Sequence, residues 1–110
     1  MFLDEAAAKT NMTRLRGRAP RGVRVHDHAP AGHWFTTTMI CSIRLHGPPA
    51  CMTLEGSTTA DVFNAYIQFV LVPTLKPGDV VVLDNLSAHK HPETVRLITG
   101  AGARVQFLPP

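Results

Sequence analysis

Three features of the sequence predict an α/β fold in which an antiparallel hairpin is followed by parallel crossover units in one mixed sheet. Residues 33–45 are rich in Thr, Ile and aromatic side chains, and a second short run at residues 49–54 follows across His46-Gly47-Pro48. Strand-forming residues on either side of a Gly-Pro turn read as a hairpin. Val62, Phe63, Tyr66, Ile67, Val70 and Leu71 then recur at helical spacing up to Pro73. Finally, Val80-Val81-Val82-Leu83 is apolar at every position, the pattern of a central strand with helices on either side.

The elements follow in order. Met1-Phe2-Leu3 is a short apolar run ending in acids, readable as the tail of a buried strand whose upstream part is short or missing. Residues 9–32 keep no sustained period and read as a long connection. A hairpin centred near Gly47-Pro48 sets residue 41 opposite roughly residue 54, so Cys41 and Cys51 are expected as two separate reduced thiols. Trp34 and Phe35 are expected in the core. Ser57 or Thr58 caps the first helix, with Thr58-x-x-Asp61 as a capping box. Lys76-Pro77-Gly78-Asp79 is a turn, and the strand after it ends on Asp84. Pro92 suits the first turn of a second helix, Val95, Leu97 and Ile98 supply its apolar side, and Gly100 with Gly102 ends it. Residues 104–108 form the last strand.

At 110 residues the chain has room for one domain. With 45% apolar and 17% charged residues it is globular in composition, and two Cys exclude a disulfide scaffold. No apolar stretch approaches the roughly 18 residues of a membrane span, and acids at positions 4 and 5 stand where a signal peptide needs a basic flank. A cytoplasmic protein is expected. The net charge of +3 permits a phosphate-rich partner.

Asp4 and Asp84 each follow an apolar strand. A single Asp there is ordinarily a turn or cap residue; two on neighbouring parallel strands project into the edge where α/β sheets bind ligands. Paired carboxylates repel unless a cation lies between them, and hard oxygen ligands favour Mg²⁺ or Mn²⁺ over zinc. Glu5 is expected to point to the opposite face and be solvated. Asp84, Ser87 and His89 crowd into one loop without a nucleophile elbow, which argues against a hydrolase triad. His26, His28 and His33 read as a solvated loop in a Pro/Gly-rich stretch and not as a metal site.

Several blocks together carry a more specific signal: Phe2-Leu3-Asp4-Glu5, Arg18-Ala19-Pro20-Arg21-Gly22, LVPTLKPGD at residues 71–79, VLDNLSAHK at 82–90 and GARVQFLPP at 102–110. In this order they resemble the catalytic domain of bacterial insertion-sequence transposases of the mariner-like superfamily. The resemblance implies a ribonuclease H-like fold and a DDE or DDD triad holding two divalent ions, Mg²⁺ or Mn²⁺, for DNA strand cleavage and transfer in transposition. Asp4 matches the first triad acid and Asp84 the second, with Asn85 and His89 as supporting residues beside it. In that family the Leu-Pro-Pro segment continues into a helix bearing the third acid, and a helix-turn-helix region precedes the domain. The expectation is therefore a partial catalytic domain over residues 1–110, incomplete at its C-terminus and inactive by itself.

The implied partners are DNA, as transposon ends and target, and a second copy or complementing transposase chain, in the nucleoid-associated bacterial cytoplasm. Arg14, Arg16, Arg18, Arg21 and Arg24 fall within eleven residues. Such a loop is ordinarily just solvated; with the resemblance, sequence-independent phosphate contacts are expected. The rival readings are a non-catalytic remnant that binds DNA or a transposase partner, and another ribonuclease H-like nuclease.

Overall fold

The computed structural model describes residues 1–28, 32 and 34–110. It contains β1 (Phe2–Lys9), β2 (Thr36–Ile43), β3 (Ala50–Glu55), α1 (Ala60–Tyr66), β4 (Val80–Leu83), α2 (Pro92–Gly100) and β5 (Arg104–Phe107). The five strands form one sheet in the order β3-β2-β1-β4-β5. β1, β2 and β3 pair antiparallel, whereas β4 pairs parallel with both β1 and β5. Between β1 and Thr36, every residue from Asn11 to His28 is exposed, which agrees with a connection that has no core face.

The hairpin register departs from expectation. Cys41 lies directly opposite Cys51, with Cα atoms 4.1 Å apart, and the two form a disulfide; they are not separate thiols. Register in a hairpin follows from where the turn sits, and here the connection takes residues 44–49 and is centred on His46. The turn thus sits one to two positions before Gly47-Pro48, and every cross-strand partner moves with it. Trp34 and Phe35 also differ: they precede β2 and are each 59% exposed.

Thr59, and not Ser57 or Thr58, caps α1, its hydroxyl accepting from the Val62 N–H at 3.3 Å. The helix runs on through a π-helical turn (Ile67–Leu71) and a 3₁₀ turn (Val72–Thr74) across Pro73. Phe63, Tyr66, Ile67 and Leu71 are all fully buried, as their spacing required. They pack with Leu3, Ile40, Val81, Leu83 and Ile98 in one core, where each fully buried large apolar side chain contributes about 1.5–3 kcal/mol. Tyr66 donates its hydroxyl to the Ala50 carbonyl oxygen at 2.7 Å. Burial of that phenol pushes its pKa up.

Among the described residues, helices cover only one face of the sheet, against the expectation of helices on either side of β4. The crossovers β3-α1-β4 and β4-α2-β5 run in the same direction across the sheet. Right-handed crossovers in one direction must lie on one face. α2 accordingly packs against α1 and the turn after it. Thr38, Ile40 and Ser42 of β2 face the helices and are buried, while Met39 and Ile43, on the other face, are exposed.

Two devices hold β4 in place. Met1 donates its amino N–H to the Val80 carbonyl oxygen at 3.0 Å, and the Val82 N–H donates to the Met1 carbonyl oxygen at 2.8 Å. Arg44 at the end of β2 bridges to Asp79 in the turn before β4, N to O 3.0 Å. The Lys76 N–H and then Arg44 hold the Asp79 carboxyl below its ordinary range.

Candidate functional site

β1 and β4 are adjacent and parallel, and their residue pairing is confined to Phe2 opposite Val82. Counting two residues on from that pair reaches Asp4 on one strand and Asp84 beyond the other. Asp4 is not at the end of its strand, however. β1 continues to Lys9 because β2 supplies main-chain partners all the way to Thr36, and a backbone ladder does not require apolar side chains. Asp4 is therefore the third residue of an eight-residue strand.

The pleat separates Asp4 from its neighbours. Leu3 is buried under the helices, and Asp4 is exposed on the open face, beside Phe2, Ala6, Met39, Cys41 and Ile43. The Asp4 Oδ1 accepts from the Glu5 N–H at 2.8 Å. Glu5 returns to the helix-covered face. Its side chain is only 17% exposed, and its Oε1 lies 3.1 Å from His89 Nε2. Here the expectation of a solvated Glu5 fails. The strand alternation did assign Glu5 to the face opposite Asp4, but that face is the covered one.

His89 is the centre of the arrangement. It is fully buried, its ring is stacked on Phe63 with centroids 4.3 Å apart, and its Nδ1 lies 2.5 Å from Asp84 Oδ1. The turn that carries it is closed by the His89 N–H donating to the Leu86 carbonyl oxygen and the Lys90 N–H donating to that of Ser87. A neutral imidazole can donate to only one of its two carboxylate neighbours, and an imidazolium to both. The residue that caps α2 is His91, whose Nδ1 accepts from the Glu93 N–H. Asp84 Oδ1 also accepts from the Leu86 N–H at 3.0 Å, so the contacts made by this carboxylate gather on one oxygen. The side chain is 38% exposed.

Among the described residues, the Asn85 side chain makes its hydrogen bond away from Asp84 and His89. Its amide donates to the Leu108 carbonyl oxygen, and with the Leu108 N–H bonded to the Leu83 carbonyl oxygen it ties the end of β4 to the end of β5. Arg14, Arg16, Arg18, Arg21 and Arg24 are all exposed. Arg14, Arg16 and Arg18 line a depression in the connection together with Val25, His26 and Asp27. His26 and His28 are exposed, and His33 lies outside the described residues.

Among the described residues no group of three or more His, Cys, Asp and Glu side chains converges on a common metal position. Asp4 and Asp84 offer carboxylate oxygens alone, the donor chemistry of Mg²⁺ or Mn²⁺. No helix among the described residues is long and apolar enough to cross a membrane.

No curated protein matches the chain. A family model described as DDE superfamily endonuclease matches residues 1–110. The five-stranded mixed sheet, with its antiparallel hairpin and parallel crossovers, is the ribonuclease H-like arrangement of these enzymes. They act on DNA and generally use divalent metals. The chain belongs to the DDE superfamily of endonucleases.

Proposed function

We propose that residues 1–110 form part of a transposase catalytic domain whose activity is metal-dependent cleavage and transfer of DNA strands, with Asp4 and Asp84 as ligands to Mg²⁺ or Mn²⁺. The observation that carries this reading is the equal count from the Phe2–Val82 pair to Asp4 within β1 and to Asp84 just beyond β4, the adjacent parallel strand. The pairing of β1 with β4 goes no further, and carboxyl-end crevices of this kind are where α/β sheets bind ligands. When bound, a pair of divalent ions about 3.5–4 Å apart supplies activation of the attacking oxygen and stabilisation of the leaving oxygen in an in-line displacement.

The chain's own residues position that chemistry. Asp84 commits Oδ1 to the Leu86 N–H and to His89, and Oδ2 is the oxygen proposed to meet the metal. Asn85 anchors the backbone beside it to β5. Arg14, Arg16, Arg18, Arg21 and Arg24 bind phosphates of transposon ends or target without reading bases. The proposed protein partner is a second copy or a complementing transposase chain. The proposed location is the bacterial nucleoid.

The test is Mn²⁺ titration of the chain, followed by water-proton relaxation, for the wild type, Asp4→Ala and Asp84→Ala. Weak binding is expected, since two carboxylates leave most of the shell to water, with each substitution weakening it about tenfold or more. Equal affinity in all three proteins would refute the assignment.

A further inference from the structure

We propose that Glu5 is a positioning residue that orients both acids at the candidate site, holding Asp4 through its main-chain N–H and Asp84 through His89. This rests on the reading of Asp4 and Asp84 as metal ligands only for its functional meaning, because the contacts themselves are between protein atoms.

Glu5 is connected to each acid. Its N–H donates to Asp4 Oδ1 at 2.8 Å, and its Oε1 meets His89 Nε2 at 3.1 Å, while the other nitrogen of that ring meets Asp84 Oδ1 at 2.5 Å. The imidazole is fully buried and stacked on Phe63, so its plane is set by packing. Packing alone leaves two ring orientations related by a half-turn, which exchange the positions of nitrogen and carbon. An acceptor at Nε2 selects the orientation that presents Nδ1 to Asp84. A histidine that touches a ligating group is commonly oriented in this way by a carboxylate on its far side. Glu5 and Asp84 approach the ring from the two strands between which the sheet ladder stops, so the Glu5–His89–Asp84 chain also joins the two sides of the crevice.

The test compares Glu5→Ala, Glu5→Gln and Glu5→Leu with the wild type by NMR of the metal-free chain. The readouts are the ring nitrogen resonances of His89, assigned with His89→Gln, and the carboxyl carbon resonance of Asp84. Glu5→Ala and Glu5→Leu should move both sets of resonances. Glu5→Gln keeps an acceptor oxygen and should retain the wild-type ring pattern. Leu fills the covered face as Leu3 does, so it reports on the lost acceptor even if the Ala variant fails to fold. Mn²⁺ affinity should fall about tenfold in the Ala and Leu variants and stay within about twofold in the Gln variant.

Unchanged His89 and Asp84 resonances in Glu5→Leu would overturn the proposal, as would a Gln variant that behaves like Leu. If the resonances respond as expected but the wild type binds no Mn²⁺, the positioning role stands and the metal reading of Asp84 falls.

Discussion

Replacing His89 by Ala removes a buried polar side chain with three side-chain contacts. The imidazole is fully buried, stacks on Phe63, and lies within hydrogen-bond distance of two carboxylates. Hydrogen bonds to charged groups are worth about 1.5–3 kcal/mol each. Water can replace part of the contact to Asp84, whose side chain is 38% exposed, and less of that to Glu5 at 17%. The loss of ring packing against Phe63 adds a cavity cost. The expected destabilisation is about 2–4 kcal/mol. For a domain of this size that lowers Tm by roughly 10–25 °C. Urea unfolding followed by far-ultraviolet circular dichroism measures it; fluorescence of Trp34 is a poor substitute, because that side chain is exposed outside β2. Arg16→Ala, on the exposed connection, serves as the control and should stay within about 0.5 kcal/mol. A His89→Ala protein as stable as that control would show that the Glu5–His89–Asp84 chain contributes nothing to the fold.

Other perturbations test other parts of the structure. Tyr66→Phe leaves the Ala50 carbonyl oxygen without its buried donor and should cost about 1–2 kcal/mol in urea unfolding at neutral pH. Because burial raises the Tyr66 pKa above its ordinary value of 10.0, the neutral phenol stabilises the fold below that pH, and this contribution is lost as pH rises past it; the Phe variant should show a flatter alkaline limb. Asp79 has the opposite sign. Its pKa is held below the ordinary 3.8 by the Lys76 N–H first and Arg44 after it, so its contribution is present above that value and is lost as pH falls through the lower folded pKa. Asp79→Asn should therefore flatten the acid limb of a stability–pH curve, and an unaltered limb would remove this turn from the acid response. For the connection, Arg16→Ala/Arg18→Ala should reduce the slope of log K against log salt for DNA binding by roughly two; an unchanged slope would place these arginines outside the DNA interface.

Much of the architecture was legible along the chain because it rests on local regularities. The helical spacing of Phe63, Tyr66, Ile67 and Leu71 names their buried face directly, since residues three and four apart on a helix share one side. Pro92 and Gly102 bracket α2 for conformational reasons: proline fits the first turn, and Gly102 takes φ +83°, where a Cβ would also come within 3.3 Å of Pro77 Cα. The acids Asp4 and Asp84 stood out as polar residues directly after apolar runs, and the blocks around them pointed to the family.

What the sequence could not express were relations between segments. Cross-strand partners depend on where a hairpin turn is centred, and a small error there separated Cys41 from Cys51, which the folded chain joins. Alternation along β1 assigns Asp4 and Glu5 to opposite faces without saying which face is covered. That was decided by two crossovers running in the same direction, whose handedness places both helices on one side of the sheet. On that side Glu5 and His89, 84 residues apart in sequence, meet in the core. Their partnership arises only when β1 and β4 are laid side by side, because no local period links two residues whose contact is made by the closing of the sheet itself.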